Sequence, residues 1–183
     1  MKSEKDWWGR RLVESLAARR DDPRGRGALA DLRRALQRPP GKDANVFRYV
    51  VPYLPAERGW TETAAFLVAS LFAAHPDAGG SGTLGASFRQ LTDKANSESI
   101  ERRFVVLLNK AAEDVASHLR QAVSLLKAND VPVDWERLLR DLLAWDHPEG
   151  YVQRAWARDF WGRAAKEAEA GETQTNQPAR AAA

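Results

Sequence analysis

Apolar residues recur at three- and four-residue spacing along most of the chain, and strict alternation is scarce, so the pattern predicts helices and few strands. A first helix is predicted from about 4 to 19, with Ser3 as its N-cap. The run "DDPRG" breaks it, and a second helix follows over 26–37, stopped by Pro39-Pro40-Gly41. "NVFRYVVPYLP" predicts a short helix after Asn45 that ends at the prolines. Residues 64–74 are almost wholly apolar, which marks a buried helix, with Thr61 as the expected cap. Further helices are predicted near 84–94, 98–110, 112–128, 135–145 and 149–169, with Asp134 capping the one that opens at Trp135.

Between these two sets lies "PDAGGSGTLG", a flexible loop and the natural boundary. The expectation is an all-α protein of two helical-bundle halves joined by a Gly-rich loop. An N-terminal half spans 1–77 with a basic helix at 26–37, and a C-terminal bundle spans 84–170. A tail over 171–183, too polar and small to bury a core, is expected to be disordered.

Composition narrows the function classes. With 44% hydrophobic and 29% charged residues, the chain reads as globular rather than disordered. No apolar run approaches the length of a membrane span, and the N-terminus lacks the continuous apolar region of a signal peptide. Cysteine is absent, which removes disulfides and thiolate metal sites and fits a cytoplasmic setting.

Charge changes the picture most. The whole chain carries only +3, yet 24–42 alone carries +5, so this segment is a basic island. On a helical wheel Ala28, Leu29, Ala35 and Leu36 lie within about 60° of Leu32, forming the core stripe. Arg26 and Arg33 fall about 100–120° away, and Arg34 and Arg38 lie on the far side. Like charges so placed repel, with no acid at i+4 to relieve them. Such a face is either solvated or neutralised by acids from other helices, or it meets an anion such as a nucleic-acid backbone. A second basic line sits in "ESIERRFVVLLNK", where Arg103 and Lys110 would share one meridian about 10.5 Å apart. The line either brackets neighbouring phosphates or pairs with Glu98 or Asp114.

Little points to catalysis. His75, His118 and His147 are scattered without a second ligand at metal spacing, and "AGGSGTLG" lacks the Lys-Ser/Thr of a phosphate loop. The reading is therefore of no catalytic residues, no metal site and no cofactor. Trp135, Trp145 and Trp156 stand at helical spacing with Leu138, Leu142 and Phe160, which predicts core packing rather than base stacking. Trp7, Trp8 and Trp161 are the ones left for an interface.

The ordered series "LADLRRAL", "NVFRYVVPYL", "GTLGASFRQL", "SIERRFVVLLNK", "DVASHLRQAVSLLK" and "DWERLLRDLLAW" resembles the CasB family, small subunit of the type I-E CRISPR surveillance complex, Cascade. The likeness runs from about 25 to 161. It implies a non-catalytic α-helical protein, present as two copies, that touches guide RNA and target DNA and helps hold the displaced strand of the R-loop. Partners would be the backbone and large subunits and a second copy of itself, with no membrane. By motif position the resemblance carries nucleic-acid contacts onto Arg33, Arg34, Arg89, Arg102, Arg103 and Arg120, and Lys110 stands near a further basic position. Gln121 follows Arg120 where relatives place a second basic residue. With the basic face, the candidate set is Arg26, Arg33, Arg34, Arg38, Arg89, Arg102, Arg103, Lys110 and Arg120. The rival reading is a helix-turn-helix transcription regulator, its second helix being 26–37 in the major groove. The "RDDPRG" connection is long for that turn.

Overall fold

The structure, a computed structural model, describes residues 7–162 apart from 57, 78 and 96. The expected Ser3 cap and the tail from Gly171 lie outside the described residues. Nine α-helices and no strand are present among the described residues: α1 (Trp8–Asp21), α2 (Arg26–Ala35), α3 (Phe47–Val50), α4 (Trp60–Ala74), α5 (Leu84–Ala95), α6 (Glu98–Leu108), α7 (Ala112–Ala128), α8 (Trp135–Leu143) and α9 (151–162). The all-α expectation holds.

Helix α4 is the axis of the molecule. Every residue from Ala64 to Ala73 is buried, because α2, α8, α1 and α7 pack around it. A helix apolar on all sides needs such enclosure. Among the described residues none of the helices is long and apolar enough to cross a membrane. An aromatic knot joins α5, α6 and α9. Phe104 lies 5.0 Å from Phe88 and 4.5 Å from Phe160, ring centre to ring centre. One contiguous core contains this knot and the buried length of α4, and runs from Leu12 to Phe160.

Trp135, Trp145 and Trp156 are all in this core, as their spacing predicts. Each of the last two finds a polar partner for its indole N–H. Trp145 donates to the Lys110 carbonyl at 2.7 Å, and Trp156 donates to the Asp141 carboxylate at 2.6 Å. Trp7 and Trp8 are half-buried against the core, whereas Trp161 is exposed and donates to Glu101.

Helix ends show where local chemistry overrides periodicity. Helix α2 stops at Ala35 rather than 37, because Leu36, Gln37 and Arg38 bond back three residues as the prolines approach. Helix α6 ends at Leu108 rather than 110: Asn109 turns its amide onto the Val105 carbonyl, and Trp145 claims that of Lys110. Helix α8 ends at Leu143 rather than 145, with Trp145 folded inward. Asp134 caps α8 as expected, accepting from the Arg137 N–H at 2.9 Å. The cap of α4 is Gly59, not Thr61, at φ +80°, a conformation that favours glycine. Glycine also matters at Gly85, where an added Cβ would lie 2.0 Å from the Trp156 carbonyl oxygen. This lets α5 press directly on the backbone of α9.

Candidate nucleic-acid interface

The basic residues of α2 do not share one surface. Arg33 turns onto the C-terminus of α4, where its Nε and Nη2 donate to the Ala73 carbonyl at 3.1 and 3.0 Å. Lys127 of α7 donates to the next carbonyl, Ala74, at 2.6 Å, and Arg20 of α1 reaches the Pro76 carbonyl at 3.2 Å. The last carbonyls of a helix lack intrahelical donors and carry about half a negative charge, so they attract cations. Arg120 of α7 donates to the Arg38 carbonyl at 3.2 Å, which ties the end of α2 to α7. Arg33, Arg38, Arg120 and Lys127 thus follow one seam between α2 and α7. None of the four pairs with an acid among the described residues.

An arginine held this way is not spent. Its planar head has five N–H donors, and the Ala73 carbonyl engages only one edge of Arg33. The residue is exposed, and that anchor fixes the orientation of the remaining edge. Forked contact with a phosphate oxygen pair is what such an edge offers.

Arg34 points elsewhere. It pairs with Asp31 three residues earlier, so the acid missing at i+4 is supplied at i−3. Arg48 and the Tyr49 hydroxyl share the same carboxylate, at 3.3 and 3.1 Å. The Arg34 hydrogen bond, supported by that of Tyr49, outweighs the cost of partial burial and holds Asp31 below the usual carboxylate range. These groups border an open groove of about 760 Å³ between α1, α2 and α3, also lined by Arg19, Arg24 and Tyr53. The guanidinium of Arg48 lies 4.9 Å from the Tyr49 ring centre and that of Arg19 5.6 Å.

The other candidates scatter. Arg26 is exposed at the start of α2. Arg89 pairs with Asp93 on its own helix at 3.2 Å. Arg102 and Arg103 are exposed on α6. Lys110 lies two residues beyond α6, so the expected meridian with Arg103 does not form. Sequence reasoning missed Lys127, which joins the seam, Arg20, which reaches the Pro76 carbonyl from α1 while pairing with Asp21, and Arg19, Arg24 and Arg48, which line the groove. Only α7's order, Arg120 and Lys127 seven residues apart, carries a local signal. Where each cation goes depends on helices distant in the chain.

Comparison with known proteins agrees with this architecture. A family profile described as CRISPR-associated protein Cse2 matches residues 28–161. The protein of that name from Thermus thermophilus is 37% identical over 166 residues, 88% of this chain and 94% of its own. The crystal structure of CasB from Thermus thermophilus superimposes with a TM-score of 0.74 at 37% identity, covering 84% of this chain and 97% of that one. M. ruber CasB gives 0.74 at 34%, over 88% and 97%. A chain of a CRISPR RNA-guided surveillance complex gives 0.76 at 27%, over 90% and 97%. By sequence and by fold, this chain belongs to the Cse2, or CasB, family of CRISPR-associated proteins.

Proposed function

We propose that this chain is the non-catalytic small subunit of a type I-E Cascade complex, acting in the cytoplasm in two copies beside the backbone and large subunits. There it holds guide RNA, target DNA and the displaced strand of the R-loop by their phosphates. The observation that carries this reading is the α2–α7 seam: Arg33, Arg120 and Lys127, whose side chains are fixed by carbonyls, and the exposed Arg38, none of them paired with an acid among the described residues. Arginines fixed through carbonyls bind anions with less ordering cost than free ones. Guanidinium–phosphate contacts place a strand without reading it, which suits a system whose specificity comes from base pairing. Arg26, Arg34, Arg89 and Lys110 lie off the seam and are assigned only supporting contacts, Arg34 and Arg89 while also paired with Asp31 and Asp93. If about six cations engage a single strand, log K falls with log salt at a slope near −4.

A helix-turn-helix regulator has less support. In that reading α2 must enter a major groove, yet its end is bonded to α7 through Arg38 and Arg120. The test is a type I-E complex reconstituted with and without this chain, scored for displaced-strand protection and R-loop lifetime. The account expects both to fall without it. Seam contacts worth about 1.4 kcal/mol would change the lifetime about tenfold. An R-loop indifferent to the bound chain would refute the clamp role.

A further inference from the structure

Helices α6 and α7 enclose a groove of about 200 Å³, floored by Phe88, Leu107, Ala122 and Leu125. Val106 stands at its edge 45% exposed, and its neighbour Val105 is 39% exposed. Arg102 and Arg103 line the same groove, together with His118 and Gln121. No acid lines it, and Glu101 on the same helix is turned away to the Trp161 indole. Neither arginine pairs with an acid among the described residues. The combination is an apolar hole the size of one side chain, an apolar rim, and two uncompensated cations.

Two kinds of anionic macromolecule satisfy the cations, and the floor separates them. A nucleobase sunk into this groove would bury its ring nitrogens and carbonyls against aliphatic carbon, with His118 and Gln121 as the polar edge groups at hand. Burying polar groups without partners is costly. A leucine or phenylalanine side chain has no such cost, and it would cover the exposed valines as well. Interfaces of that type seat an apolar anchor in a pocket and surround it with charge pairs at the rim.

We infer that the α6–α7 groove docks an acidic amphipathic segment of a partner protein, an apolar side chain filling the hole and flanking carboxylates meeting Arg102 and Arg103. Those two residues then work in assembly, not in holding a strand, and the seam on the other side of α7 keeps the nucleic acid.

Two arms test this. The chain has no cysteine, so Gln121→Cys takes a single benzophenone label at the groove. In the reconstituted complex the label is expected to cross-link to a protein segment in which an apolar residue is flanked by Asp or Glu. The Arg102→Glu/Arg103→Glu variant should lower that yield about tenfold. Cross-links to nucleic acid alone, or to a protein segment lacking acids, overturn the inference. This arm rests on the proposed role in the complex, and the second does not. Methyl resonances of Val106 and Leu125 are followed in the full isolated chain during titration with a helical Leu/Glu peptide, its Leu/Lys counterpart and an oligo-dT strand. Shifts caused by the glutamate peptide alone, and lost in the double charge reversal, support the inference. Shifts caused by oligo-dT instead, or by none of the three, overturn it, whether or not the chain enters the complex.

Discussion

Replacing Arg33 by alanine removes two donors from the Ala73 carbonyl at the buried end of α4. Ala73 itself is wholly buried. An orphaned buried carbonyl costs about 1–3 kcal/mol, and a cation lost from a helix C-terminus costs about 0.3–1 kcal/mol. Arg33 is an exposed residue and water will reach part of the vacated space, so the lower half of the range applies. Arg33→Ala should therefore destabilise by about 1–2 kcal/mol, lowering Tm by about 2–8 °C for a chain of this size. The seven tryptophans, three of them deep in the core, make urea unfolding followed by fluorescence a suitable assay. Arg33→Lys keeps the charge but not the fork and should recover part of the loss. Binding to oligo-dT as a function of salt gives the second readout. If the free edge of Arg33 meets a phosphate, the variant's slope should be shallower by about 0.7. Unchanged stability would refute the anchor, and lost stability with an unchanged slope would refute the phosphate contact.

Other perturbations test the fold around the seam. Asp141 is buried, which raises its carboxyl above the usual range despite hydrogen bonds from Trp156 and Arg137. A raised value in the folded state favours the protonated form. Its stabilising contribution is therefore complete below about pH 4 and declines as pH climbs through the folded value. Asp141→Asn should abolish that decline, read as the pH dependence of the urea midpoint difference from wild type. Gly85→Ala should cost about 1–3 kcal/mol by driving a methyl into the Trp156 backbone, measured by thermal unfolding. Asp134→Ala removes the cap of α8 and should cost about 1 kcal/mol in the same assay.

Much of this molecule is written locally. The periodicity places α4 in the core and separates Leu29 and Leu32 from the arginines, and Asp134 announces α8. What local pattern does not carry is the destination of long side chains. Arg33 and Arg34 are adjacent on α2, yet one reaches the end of α4 and the other an acid one turn back. A wheel separates basic from apolar but cannot choose between Ala73 and Asp31, because the first is 40 residues away. Lys127 is invisible as a site residue for the same reason: its partner is a carbonyl exposed only because α4 ends there. The Arg103–Lys110 line fails at a helix end decided by Asn109 and by Trp145 from beyond α8.

The central claim is that the α2–α7 seam lies against nucleic acid. A cysteine-free chain allows the most direct measurement. A photoreactive label is placed at Arg38→Cys on the seam and, separately, at Glu14→Cys on the exposed side of α1, and both chains are assembled into R-loop-bound complexes. The account predicts cross-links to a DNA or RNA strand from position 38 and none from position 14. Cross-links from position 38 to protein alone would contradict it.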